Sequence, residues 1–342
     1  RHGVPIAGNV LQQELALLTG AVDAMVVDVQ CVYQGIGQIA SCIHTDIITT
    51  SPKAKMPFAR HIEFHEDHAL EAAKEIVSAA IENFPKRGKV YIPDKKEPLI
   101  AGFNHEYVNY MLGGRFRASY RPLNDAIIDG RIRGVVGVVG CNNPRVKHDD
   151  IHVRVVKQLI MNGCLVVVTG CAAQSVAKAG LLLPEVAREL CPRGLWEVCE
   201  AVGIPPVLHF GSCVDNSRIL IALTNMVKEG GLGDDISDLP ACGCAPEWMS
   251  EKAIAIGHYF VSSGAAVVFG VSFPTLGSKK VTEFLFERLN EIYKNSWHFE
   301  PDPDKMVDKI LSLIDMKREA LGITAKRERV LYDMAMRREL EI

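Results

Sequence analysis

The sequence predicts an α/β protein made of two Rossmann-like domains with mostly parallel sheets. Three observations carry that prediction. The apolar runs MVVDVQ, GVVGVVG, LVVVTG and PPVLHFGS read as strands buried on both faces. From about residue 130 onward such runs alternate with stretches of helical spacing, which argues for βαβ units and a parallel sheet. At 342 residues and 48% hydrophobic, the chain is long enough to bury two cores.

In chain order, residues 9–20 read as a helix that Gly20 ends, followed by a strand over 24–30 that stops at Cys31. SPKAKMPFARHIEF is polar and turn-rich, and 65–84 has apolar residues at helical spacing with acids early. PKRGKVYIPDKKEP is the most linker-like stretch, so a boundary is placed near 98, dividing the chain into domains 1–98 and 99–342. Beyond it come a short strand in LIAGF and a helix. Strand 134–139 then leads to Cys141 and a helix near 149–162. Strand 165–169 leads to Cys171 and a helix from about 173, and strand 206–210 leads to Cys213 and a helix over 216–229 ended by Gly230 and Gly231. A helix over 246–262 precedes strand 266–272. Asp302-Pro303 reads as an N-cap with proline at the first helical position, opening a helix to about 320, and a charged helix over 325–340 closes the chain.

A net charge of −3, with no basic stripe carrying interleaved aromatics, argues against a nucleic-acid binder. The longest apolar stretch, near 261–274, is broken by Ser, Gly and Pro, so no membrane span is expected. Most of the ten cysteines sit in or beside apolar runs of a long chain without a visible secretory signal. They read as thiols of a reducing cytoplasm rather than a disulfide framework. The chain begins with Arg1 in a segment that already looks like a loop entering a helix, as expected of part of a longer polypeptide.

Four of these cysteines end apolar runs: Cys31, Cys141, Cys171 and Cys213. In a parallel sheet the ligand site lies beyond the carboxyl ends of the strands. Thiols placed there can converge on one soft-metal or iron–sulfur centre despite their separation in sequence. Cys141, Cys171 and Cys213 are 30 and 42 residues apart, the length of βα units. Cys213 precedes a helix start, where the backbone favours an anion and a thiolate is ready to bind metal. The alternative for any one of them is a buried cysteine acting as a small hydrophobe. Zinc usually shows local C-x₂-C pairs, and none occurs. Cys242-Gly-Cys244 fits packing or a turn better than ligation, and Cys42, Cys164, Cys191 and Cys199 lack the strand-end context.

Lys252, in APEWMSEKAIAIGHY, shares a predicted helical stripe with Met249, Ile256 and Tyr259. It either snorkels to water or serves a site as a cation or acid. The glycines at 134, 137 and 140 do not make a dinucleotide fingerprint, and no P-loop, serine elbow or HExxH occurs. His44, His65, His68 and His209 are candidates to support a site, each with an ordinary structural alternative.

GAVDAMVVDVQC, SPKAKMPFARHIEF, VVGCNNPR, TGCAAQ, PPVLHFGSCVDNSR and APEWMSEKAIAIG together resemble the nickel–iron carbon monoxide dehydrogenases of anaerobic prokaryotes, over essentially the whole chain. The resemblance implies a nickel-iron-sulfur cluster, the C-cluster. Cys31, Cys141 and Cys171 would be ligands of its irons, Cys213 the ligand of its nickel, and Lys252 the active-site lysine. It also implies that a histidine and a further cysteine for a pendant iron, and additional 4Fe-4S clusters with a histidine proton relay, precede residue 1. The implied reaction is CO + H₂O ⇌ CO₂ + 2H⁺ + 2e⁻, with a ferredoxin-like electron carrier and a homodimeric enzyme. The terminal stretch ALGITAKRERVLYDMAMRRELEI resembles forms that associate with acetyl-CoA synthase, although an amphipathic helix packed on its own domain explains it as well. Two alternatives remain: a hybrid-cluster, hydroxylamine reductase-like protein, and a truncated module without catalysis.

Overall fold

A computed structural model describes residues 8–28, 31–114, 118–272, 274–295 and 297–324. They fall into two compact units, Gly8–Pro98 and the residues from Leu99 onward. The expected helix over 325–340, and with it the acetyl-CoA synthase resemblance, lies outside the described residues.

The Gly8–Pro98 unit holds a three-stranded parallel sheet of β1 (Ala24–Val27), β2 (Asp46–Thr49) and β3 (Arg60–His61), in that order. Consecutive side chains of a strand point to opposite faces, so Ile47 and Ile48 feed different cores. Ile47 packs with Leu17, Val27, Ile36 and Ala40. Ile48 packs with Ile62, Ala72 and Ala79, the last two from the helix Ala69–Asn83. A polar clamp closes one end: the Arg87 guanidinium donates to Asp23 (Nε 2.7 Å), and His44 Nε2 lies 3.2 Å from the same carboxylate. The bond from Arg87 holds the Asp23 carboxyl below its ordinary pKa.

The second unit is built on a six-stranded sheet with every pairing parallel: β4 (Gly134–Val138), β5 (Cys164–Thr169), β6 (Val207–Gly211), β7 (Ala241–Ala245), β8 (Ala266–Phe269) and β9 (Trp297–Phe299). The spatial order is β6-β5-β4-β7-β8-β9. The chain runs outward from β4 in one direction and then returns to lay β7 on the other side of it. This is the doubly wound order with a topological switch point between β4 and β7. Both faces are covered. Val135, Leu165, Val167, Leu208 and Phe269 enter one core; Val136, Val138, Val166, Val168 and Val268 enter the other. The helix Pro303–Ala320, capped by Asp302 as expected, seals the second face with Met306, Ile310 and Ile314. Its end is pinned by Arg318, whose guanidinium donates to the carbonyls of Ile127 (2.9 Å), Arg133 (3.1 Å) and Ile323 (2.6 Å).

Some elements differ from the sequence expectations. LIAGF is not a strand; it is a loop whose Gly102 and Phe103 amides donate to the His209 carbonyl. Residues 246–250 are loop, and the helix expected from 246 runs Glu251–Ser262. β7 is the segment ACGCA, which places Cys242 and Cys244 inside a strand rather than a turn.

Burial, with the Lys309 ammonium a smaller cause, depresses the His298 pKa to about 4. In the unfolded chain this histidine titrates near its ordinary value of 6.5, so between these values it binds a proton that the fold excludes. Stability from this residue is complete above pH 6.5 and is lost as pH falls toward 4, by up to about 3 kcal/mol. His298→Gln should lose less urea stability than the parent between pH 6.5 and 4.5; parallel losses would remove His298 as a source of acid sensitivity.

Candidate metal centre

β4, β5 and β6 end level with one another. The β4–β5 register pairs Val138 with Val168, and Cys141 and Cys171 each lie three residues beyond. Across β5–β6, Thr169 pairs with Gly211, and Cys171 and Cys213 each lie two residues beyond. That second match depends on a register shift between Val168 and Thr169; in unbroken register Cys213 would fall one residue out of step. Neighbouring strands lie about 4.8 Å apart, so three cysteines leave the sheet from adjacent rows at equivalent positions.

The turns that follow have little room. Gly140 has φ +114, and a Cβ there would stand 2.3 Å from the Glu247 carbonyl oxygen. The Cys141 amide donates to that same oxygen at 2.9 Å. Gly170 has φ +58, and a Cβ there would stand 2.6 Å from Cys213 Sγ. The Cys213 thiol therefore rests against the backbone immediately before Cys171. Cys171 is the second residue of the helix Gly170–Lys178, and Cys213 opens the turn that leads into the helix Asn216–Glu229. Both sit where helix termini favour a negatively charged donor.

Five other cysteines are unlike these. Burial pushes the thiols of Cys164, Cys191, Cys199 and Cys242 up to about 12, and Cys244 higher still. Such thiols are inert packing groups. Cys31 lies beyond the carboxyl end of β1 in the Gly8–Pro98 unit, its carbonyl accepting a hydrogen bond from Gln13 Nε2. Lys252 is the second residue of the helix after β7, its amide donating to the Ser250 hydroxyl cap (3.3 Å). The helical stripe expected for it is therefore shorter, because Met249 precedes the helix. β7 adjoins β4, so the chain segment bearing Lys252 leaves the sheet across the switch point from Cys141.

Three groups around Cys141 escape a sequence reading. His152 is fully buried; its Nε2 bonds the Cys141 carbonyl at 2.7 Å, and burial holds its pKa down to about 4. Glu247 is also fully buried, accepting the Asn143 amide at 2.9 Å while its Oε1 has no hydrogen-bond partner; burial raises its pKa to about 7. Asp149 receives Asn142, Ser175 and Lys178. A lone acid within the apolar stretch ACGCAPEWM was the only available signal for Glu247. Of the candidate histidines, His209 is buried inside β6 with Nδ1 accepting the Gly211 amide (3.1 Å), and burial lowers its pKa. His44 serves the Asp23 clamp, and His65 and His68 line a groove of about 330 Å³ with Glu63, Glu71 and Glu75.

Among the described residues no three His, Cys, Asp or Glu side chains are gathered to hold a metal ion. A polynuclear iron–sulfur group makes a different demand, with thiolates distributed over separate metal atoms. Three cysteines on adjacent strand ends, with a glycine where any Cβ would strike the Cys213 sulfur, fit such a group.

The family model described as Prismane/CO dehydrogenase matches residues 1–304. The chain belongs to this family. Carbon monoxide dehydrogenase 1 of Methanosarcina mazei is 53% identical over 325 residues, which cover 94% of this chain and 51% of the relative. Carbon monoxide dehydrogenase 1 of Carboxydothermus hydrogenoformans is 42% identical, over 94% of this chain and 52% of the relative. A solved nickel-free carbon monoxide dehydrogenase from Thermococcus sp. AM4 superposes with a TM-score of 0.83 at 51% identity, covering 93% of this chain and 50% of that one. The chain thus spans about half the length of the relatives it matches. The parallel α/β sheets are those of the family, and among the described residues no helix is long and apolar enough to cross a membrane.

Gly170→Ala places a Cβ against Cys213 and also strains a left-handed backbone by roughly 1–2 kcal/mol. Gly322, the left-handed residue that ends the helix Pro303–Ala320, has a similar φ of +67 but open space around it. Gly170→Ala should therefore lower the urea midpoint more than Gly322→Ala; equal losses would mean that the Cys213 contact contributes nothing.

Proposed function

We propose that this chain carries the C-cluster of a nickel–iron carbon monoxide dehydrogenase and that the protein containing it catalyses CO + H₂O ⇌ CO₂ + 2H⁺ + 2e⁻. The observation that supports this best is the alignment of Cys141, Cys171 and Cys213 at equivalent positions beyond three adjacent parallel strands. Family membership and relatives named carbon monoxide dehydrogenase point to the same chemistry.

When bound, the nickel–iron–sulfur cluster supplies a soft site for CO and activates water as the nucleophile. The chain's own residues do the rest. Cys31, Cys141 and Cys171 would hold irons and Cys213 nickel. Lys252, as an ammonium, donates a charge-assisted hydrogen bond to the oxygen on which negative charge develops. Residues 1–98 and 99–342 form its two Rossmann-like domains. A histidine and a cysteine for a pendant iron, and additional 4Fe-4S clusters, are assigned to chain outside these 342 residues. The working protein is read as a cytoplasmic homodimer that passes electrons to a ferredoxin-like carrier, with acetyl-CoA synthase as a further partner.

In the full-length protein, Cys213→Ala should lose nickel and dye-linked CO oxidation while retaining iron. Lys252→Ala should keep nickel and lose about 10²–10³ in rate, the usual cost of removing one such donor. Full nickel content and turnover in Cys213→Ala would sink the assignment.

A further inference from the structure

Asp149 breaks a local rule. It occupies the N-cap of the helix Asp150–Met161, the position where an aspartate ordinarily accepts amide protons of its own helix, a contact worth about 1 kcal/mol. Its side chain makes no such bond, and its backbone takes φ +64, a conformation unfavourable for a residue with a Cβ. What it does instead is join two other segments. Oδ1 accepts from Asn142 Nδ2 at 3.1 Å and from the Ser175 hydroxyl at 2.7 Å, while Oδ2 pairs with the Lys178 ammonium.

Asn142 directly follows Cys141 at the end of β4. Ser175 and Lys178 lie on the Gly170–Lys178 helix, which carries Cys171 at the end of β5. Asn142 Nδ2 also reaches Ser175 Oγ (3.3 Å), and Ser175 Oγ lies 3.0 Å from the Cys171 carbonyl. The geometry is a closed triangle of Asn142, Ser175 and Asp149, with Asn142 and Ser175 each only 1% exposed. Buried at two of its three corners and satisfied by charge-assisted bonds, such a triangle is stiff. Backbone pairing sets Cys141 and Cys171 level only as far as Val138 and Val168. Beyond those residues the ladder gives out, and the Asp149 carboxylate is a side-chain tie between the two cysteine-bearing turns.

We propose that Asp149 is a positioning residue for the metal centre, fixing the separation of the Cys141 and Cys171 thiolates through Asn142 and Ser175. The inference rests on the cluster reading above and adds to it a residue that touches neither metal nor substrate. Metal-site residues that orient ligands typically cost 10–100-fold in affinity or activity when removed.

The test uses the full-length protein produced anaerobically with nickel and iron, comparing the parent, Asp149→Ala, Asp149→Asn and Asp315→Ala. The last breaks an ion pair with Arg133, outside the triangle. Nickel and iron per chain and the EPR g-values of the reduced protein are read beside the melting temperature. Asp149→Ala should lose at least half of the nickel or shift the g-values. Asp149→Asn, which keeps one carbonyl acceptor for Asn142 and Ser175, should recover part of the loss, and Asp315→Ala should match the parent. If Asp149→Ala does not fold, Asp149→Asn decides: shifted g-values at parental melting temperature support the role. Parental metal content and g-values in whichever Asp149 variants fold would overturn it while leaving the cluster assignment intact. A parent without nickel and iron would overturn both.

Discussion

The second unit depends on where its central strands stop. β4, β5 and β6 must end in step, and the chain must then turn away at once in a space that admits no side chain. Gly140 and Gly170 meet that condition by adopting positive φ with a carbonyl or a sulfur where a Cβ would stand. The register shift at the end of β5–β6 meets it by dropping one residue out of the ladder. Bulges near functional sites re-aim side chains in this way. With a regular ladder and ordinary residues at those turns, the same cysteines would leave the sheet at different depths, and no common centre could use them.

The outward half of this arrangement was legible in the sequence because β4 and β5 are Val-rich, β6 is largely apolar, all three are buried on both faces, and each is followed by a cysteine. The return half was not. β7 is ACGCA, without a β-branched or aromatic residue, and it forms a strand because β4 and β8 pair with it on both sides. β9 has only three residues, too few for any period to register. The strand order, and so the switch point beside Cys141, depended on those two silent elements. LIAGF misled in the opposite sense: its apolar run is bound to a single carbonyl of β6 rather than to a ladder.

The cysteines show how far residue type falls short of chemistry. Cys242 and Cys244 lie in β7, the strand beside the one that leads to Cys141, yet they are buried with their thiols pushed far up. Inside the strand, burial penalises the charged form without compensation. A few residues beyond the strand end, amides of a helix start become available to an anion. The difference between a packed thiol and one beside a helix start is thus one of position along a strand, which the strand–Cys–helix pattern detects and a count of cysteines does not.

Several polar groups around Cys141 and Cys171 give up local hydrogen bonding. Asp149 forgoes capping its own helix, Glu247 is buried with one oxygen unbonded, and His152 is buried neutral with Nδ1 unbonded. Arg318, by contrast, is buried at the far end of the chain's last described helix and has its guanidinium spread over carbonyls. A buried polar atom without a partner costs about 1–3 kcal/mol, and atoms of this kind also occur elsewhere in the unit, at Asn124 and Arg131 among others. Around Cys141 and Cys171 the bonding partners come from segments remote in sequence, Asn143 for Glu247 and Ser175 for Asp149. No local pattern could announce them, and each is tied to a turn that carries or adjoins a cysteine. These bonds tie the cysteine-bearing turns together where the β-ladder has already ended.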